Sequence, residues 1–151
     1  MVDKKYIFQT LVLSGIIFGG GACTKSKALS PIFDSSQALV QSYSDAYNAK
    51  NLVGMTALMH DDIEWINLEG SDLTIITVDK DSLVSELKSY FNGDSKASIR
   101  LSDWSTNGEY VSVKETVSFT LKDGSEVSQA SLSVYELDDG LIRRVWYFPA
   151  Q

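Results

Sequence analysis

The sequence predicts an α+β fold in which three N-terminal helices pack on a curved antiparallel sheet. Two observations carry this. The first half of the chain places apolar residues at helical spacing. The second half holds three alternating or apolar runs that follow Asn107-Gly108, Asp123-Gly124 and Asp139-Gly140. Such dipeptides supply the positive φ angles that two-residue hairpin turns require. Neither repeats nor low-complexity runs interrupt residues 35–151, which are of ordinary size for one domain.

Asp34, Ser35 or Ser36 can cap a first helix reaching about Lys50, with Leu39, Val40, Tyr43, Ala46 and Tyr47 on one stripe. Asn51 breaks it, and Leu52, Met55, Leu58 and Met59 mark a short second helix. His60-Asp61-Asp62 then turns the chain into a strand with Ile63, Trp65 and Asn67 on one face. A third helix starts near Asp79 or Asp81, carries Leu83, Leu87, Tyr90 and Phe91, and stops at Asn92-Gly93.

For the meander, two-residue turns fix an expected register. Trp104 opposes Val111, Ser102 opposes Val113 and Arg100 opposes Glu115. Across the next hairpin Phe119 opposes Ser128, Val117 opposes Ala130, Glu115 opposes Leu132 and Val113 opposes Val134. Across the last, Val134 opposes Val145 and Leu132 opposes Tyr147. Opposed residues share a face, so these residues form the expected inner surface. The outer face then ends with Tyr135, Leu137, Ile142, Trp146 and Phe148, an apolar end that points to a protein contact.

Lys4 and Lys5, the apolar run Tyr6 to Phe18, and Gly19-Gly20-Gly21-Ala22 follow the order of a secretory signal. Cys23 comes at once after the small residues, the arrangement of a bacterial lipoprotein. This reading makes residues 1–22 a signal peptide and 23–34 a lipidated Cys23 with a polar tether. Two acyl chains or more suffice for stable anchoring, so the domain is expected in the cell envelope, held to a membrane outside the cytoplasm. Thr24 in place of an inner-membrane-retaining aspartate favours the outer membrane. Plain secretion and an uncleaved anchor remain alternatives; the apolar run is short for a span of ~20 residues.

The formal net charge is −7. Such a surface repels phosphate backbones, which argues against nucleic acid as a partner. One histidine and one cysteine leave no zinc set, and Asp79-Lys80-Asp81 lacks the glycine and later ligands of a calcium loop, so no metal or other cofactor is expected.

Tyr43-Ser-Asp-Ala-Tyr47 with Asn48 to Leu52, then His60-Asp-Asp-Ile-Glu-Trp65, and the closing Asp139 to Phe148 resemble the nuclear-transport-factor-2-like, or SnoaL-like, superfamily over Ser36 to Phe148. The resemblance implies a cone with a pocket between the helices and the concave sheet. It does not choose among the superfamily's isomerases, dehydratases, epoxide hydrolases, cyclases and domains without known chemistry.

Glu115 is the sharpest candidate for that pocket, in the middle of Val111, Val113, Val117 and Phe119. A carboxyl there is costly unless paired, and burial can bring its pKa into the range of a general acid or base. Its expected opposite, Arg100, offers the alternative of a structural ion pair. Arg100 also resembles the strand arginine of the epoxide hydrolases, but their second aspartate is Ser102 here. The ketosteroid-isomerase pattern aligns its tyrosine with Tyr43, yet its base falls near Asn67 and its second acid near Leu132. The dehydratase pattern wants two histidines, and His60 is alone, expected in a surface or capping role. Tyr43, Tyr47, Asn67, Trp65, Trp104 and Tyr147 complete the candidate ligand-binding set, either lining a pocket or forming plain core. Arg143 is expected to pair with Glu136 across the last hairpin.

Three functions follow as expectations. The first is a module binding a small apolar molecule or serving as an accessory subunit. The second is a lyase- or isomerase-type enzyme with Glu115 as base and Tyr43 or Tyr47 as proton donor. The third is a ligand-free interaction domain. Tyr135, Trp146 and Phe148, with the superfamily's habit of packing sheets together, also imply a homodimer.

Overall fold

The computed structural model describes residues 34–93, 97–121 and 123–150. The expected signal, Cys23 and most of the tether lie outside the described residues. The elements run α1 (Ser35–Asn48), α2 (Leu52–Ala57), β1 (Met59–Glu69), β2 (Asp72–Thr77), α3 (Lys80–Phe91), β3 (Ser98–Asn107), β4 (Tyr110–Thr120), β5 (Glu126–Asp138) and β6 (Leu141–Tyr147).

Each helix begins where a side chain satisfies a free backbone donor. Asp34 accepts the Gln37 N–H at 2.8 Å, Asn51 that of Gly54 at 3.0 Å, and Asp79 that of Ser82 at 2.7 Å. Val40, Tyr43 and Tyr47 of α1, Met55 of α2, and Leu83 and Leu87 of α3 are the buried stripes. Met59 belongs to β1, not to α2, and Asp61-Asp62 is strand rather than turn. A hairpin through Gly70, at φ +60°, adds β2, a strand that the sequence reading did not anticipate.

The strands form one sheet in the order β2-β1-β6-β5-β4-β3. β1 runs parallel to β6, and every other neighbouring pair is antiparallel. The sheet is therefore mixed, which corrects the all-antiparallel expectation.

The register departs from expectation in all three hairpins of the meander, each time by an added or displaced residue. In β3–β4 the turn lies between Asn107 and Tyr110, and an extra residue near Asp103, at φ +55°, shifts the pairing so that Leu101 opposes Glu115 and Arg100 opposes Thr116. In β4–β5 five residues separate Thr120 from Glu126, and Leu121 N–H donates to Ser125 O at 2.8 Å. Val113 therefore opposes Ser133, Val111 opposes Tyr135 and Glu115 opposes Ser131. In β5–β6 Asp138 opposes Leu141 as expected, but a bulge then places Tyr135 against Val145 and Ser133 against Tyr147.

The consequence is that β5 presents the opposite face from the one expected. Ser133, Tyr135 and Leu137, with Ile142 of β6, are buried under the helices, whereas Leu132 is 46% exposed. Ala130 and Val134 share the outer parity with Leu132. Val111, Val113 and Glu115 of β4 and Val145 of β6 face inward as expected.

Candidate functional site

Glu115 lies mid-strand on the inward face of β4 and is 3% exposed. Its Oε2 accepts hydrogen bonds from Tyr135 Oη at 3.1 Å and Ser133 Oγ at 3.2 Å, both from β5. Burial raises the carboxyl's pKa above its ordinary value, and these two hydroxyls draw it only part of the way back. Among the described residues Glu115 has no cationic partner. Arg100, its expected partner, is exposed and opposes Thr116; because Leu101 is the residue opposite Glu115, Arg100 points to the other face of the sheet.

Four tyrosines feel the Glu115 charge. Desolvation pushes the hydroxyl pKa of Tyr43, Tyr47, Tyr135 and Tyr147 upward, and the carboxylate adds to the shift in each. Tyr43 and Tyr47 come down from α1, one helical turn apart, which is why the stripe read from the sequence delivers both to the sheet. Tyr43 meets Tyr135 edge-on with centroids 6.5 Å apart, and Trp65 meets Tyr147 edge-on at 5.7 Å. Tyr47 stacks on Tyr90 of α3 at 6.2 Å. The Tyr43 hydroxyl finds no well-aligned partner, although Trp65 lies near enough to pull its pKa slightly down.

The structure thus brings together Glu115, Tyr43, Tyr47, Trp65 and Tyr147 from the expected set. Asn67 stands beside Tyr147 in the β1–β6 register and is half-buried. Trp104 packs against the rim of the core, and Arg100 is outside it. Ser133 and Tyr135 are the site residues that the sequence reading missed. Asp123-Gly124 signals a hairpin but does not distinguish a two-residue loop from a longer one, and one extra residue reverses the face of β5.

Two surface clefts among the described residues lie elsewhere. One, about 420 Å³, runs between α1 and α2 along Ser42, Asp45, Asn51 and Gly54; the other, about 360 Å³, is lined by Asp61, Asp79, Lys80 and Asp81. Glu115 is reached from neither. The Tyr135 and Ser133 hydroxyls sit directly on its carboxylate. His60 is within β1, where its Nδ1 accepts the Asp62 N–H at 3.1 Å, a local structural role. Arg144 rather than Arg143 pairs with Glu136, at 3.0 Å, and also with Glu64 at 2.6 Å; Arg143 pairs with Asp138 at 3.0 Å. Among the described residues no group of His, Cys, Asp and Glu is placed to hold a metal ion.

Several solved structures share the architecture. An LEH-like epoxide hydrolase of M. tuberculosis superposes with a TM-score of 0.64 at 17% identity, over 76% of this chain and 81% of that one. An uncharacterized cystatin fold protein of Novosphingobium aromaticivorans gives 0.64 at 22%, over 78% and 100%. A nuclear-transport-factor-2-like protein of unknown function from Burkholderia pseudomallei gives 0.61 at 14%, over 76% and 90%. At these identities the likeness is one of fold. No curated protein matches the chain. The family model of the SnoaL-like domain matches residues 40–145, from within α1 to within β6, and the chain belongs to that family.

Proposed function

We propose that this SnoaL-like domain is an envelope-tethered binding module that holds a small, largely apolar molecule at the Glu115 cluster, between α1 and the concave sheet. One observation carries the reading. A carboxyl buried to 3% exposure among tyrosines, with no cation beside it among the described residues, is a group that folding alone disfavours. Such groups are retained where a site needs them at the expense of stability. The surrounding rings supply apolar contact, and the hydroxyls of Tyr43 and Tyr135 supply orientation. Native mass spectrometry of the protein carrying Cys23→Ser should show a bound small molecule, and Glu115→Gln should lose it. A ligand retained in full by Glu115→Gln would place the site elsewhere.

A second reading, a proton-transfer enzyme with Glu115 as base and Tyr43 as donor, draws support from the raised carboxyl pKa. Against it stand the closed interior and a Tyr43 hydroxyl that burial makes a poorer acid.

The tether rests on the Lys4-Lys5, Tyr6–Phe18 and Gly19-to-Cys23 order. Cys23→Ser should move the protein from membranes to the soluble fraction and abolish incorporation of radiolabelled palmitate. Equal membrane association of the variant would exclude lipid on Cys23.

A further inference from the structure

Resting on the reading that the Glu115 cluster is a binding site, we infer that its ligand is an organic cation, a compact ammonium group on an apolar body. Three independent features point the same way. Glu115 Oε2 receives two hydroxyl donors, from Tyr135 and Ser133, which favour the ionised carboxylate and offset part, but not all, of the cost of burying it. No Lys, Arg or His among the described residues forms an ion pair with that carboxylate. An unpaired buried charge is among the most unfavourable groups a core can hold, and a cation removes that penalty while a neutral ligand does not.

The second feature is the material around the carboxylate. Tyr43 meets Tyr135 and Trp65 meets Tyr147 in edge-on pairs, so the material around the carboxylate is aromatic. Aromatic faces attract ammonium groups, most strongly where water is excluded, and they pack equally well against an apolar body. The third feature is the field of the whole chain. A net charge of −7 concentrates cations near the surface and turns anions away. An anionic ligand would meet repulsion first from the surface and then from Glu115.

Three probes with one ring and different charges test the inference by calorimetry on the full domain carrying Cys23→Ser: benzylammonium, benzyl alcohol and benzoate. Benzylammonium should bind at least about tenfold tighter than benzyl alcohol, and Glu115→Gln should erase that preference. Equal or tighter Glu115-dependent binding of the alcohol or benzoate would overturn the cation and leave the binding site standing. If none of the three binds at millimolar concentration, the binding reading fails and the cation with it. Should Glu115→Gln not fold, Ser133→Ala decides. Loss of one donor to Oε2 should weaken benzylammonium about threefold or more relative to benzyl alcohol, and an unchanged preference would overturn the inference.

Discussion

At the scale of single residues, Glu115 sets both the chemistry and its cost. Burial is the largest influence on its carboxyl, and Tyr135 and Ser133 only partly offset it. The native state therefore holds the Glu115 proton more tightly than the unfolded chain, whose ordinary value is 4.5. With more protons bound in the native state, stability falls as pH rises from the unfolded value through the folded one. Glu115→Gln removes that dependence. Thermal melts between about pH 4 and about pH 8 should show the variant gaining on the wild type as pH rises, with the largest gain at the alkaline end. Parallel melting curves would mean that Glu115 does not titrate differently on folding. Arg100, although opposite Glu115 in the simplest register, is exposed on the other face. Arg100→Met should change stability by less than about 0.5 kcal/mol and add independently to Glu115→Gln. A coupling well above that size would restore the ion pair.

At the scale of elements, what the sequence reveals depends on whether the signal is local. Helix starts are local: Asp34, Asn51 and Asp79 each cap the helix expected there. The inward set of β4 is local too, since Val111, Val113 and Glu115 alternate within one strand. The face of β5 is not, because Leu132 and Val134 on one parity and Tyr135 and Leu137 on the other are equally apolar choices. Only the loop after Thr120 and the bulges decide between them, and each shifts parity by a single residue. The parallel β1–β6 pairing joins residues some eighty positions apart and leaves no periodic trace. One long-range contact is testable on its own. The Asn48 side-chain amide donates to Ile99 O at 2.8 Å and accepts from Ile99 N at 2.7 Å, so the end of α1 satisfies the free edge of β3 as a neighbouring strand would. Asn48→Ala should cost about 1–2 kcal/mol, and Asn48→Asp, which still accepts but cannot donate, should cost less. Equal costs would show that the bond accepted from the Ile99 N–H contributes nothing.

At the scale of the whole molecule, the reversed face of β5 redraws the outer surface of the sheet. Tyr135 leaves it for the core, and Leu132 takes its place. Ile66 pairs with Ile75 on one side and Trp146 on the other, and Trp146 pairs in turn with Val134. An apolar band therefore crosses β2, β1, β6 and β5, with Tyr110 of β4 beside Trp146 at 6.3 Å. Ile75, Leu132 and Tyr110 are exposed within it. A contiguous apolar face of this kind on a charged domain marks a contact surface. A second copy suits it: two chains of net charge −7 repel through their charged surfaces, whereas this band presents apolar side chains to a twin, and the Glu64 and Glu136 carboxylates at its flank are partly balanced by Arg144 between them. The interface would be isologous, with each copy offering the same band. Sedimentation of the Cys23→Ser protein at micromolar concentration should give about twice the monomer mass. Ile75→Lys with Leu132→Lys, both at exposed positions, should return it to the monomer without lowering its melting temperature by more than the lost association explains. A wild-type protein that stays monomeric at high concentration would reject the dimer and leave the band for a different partner.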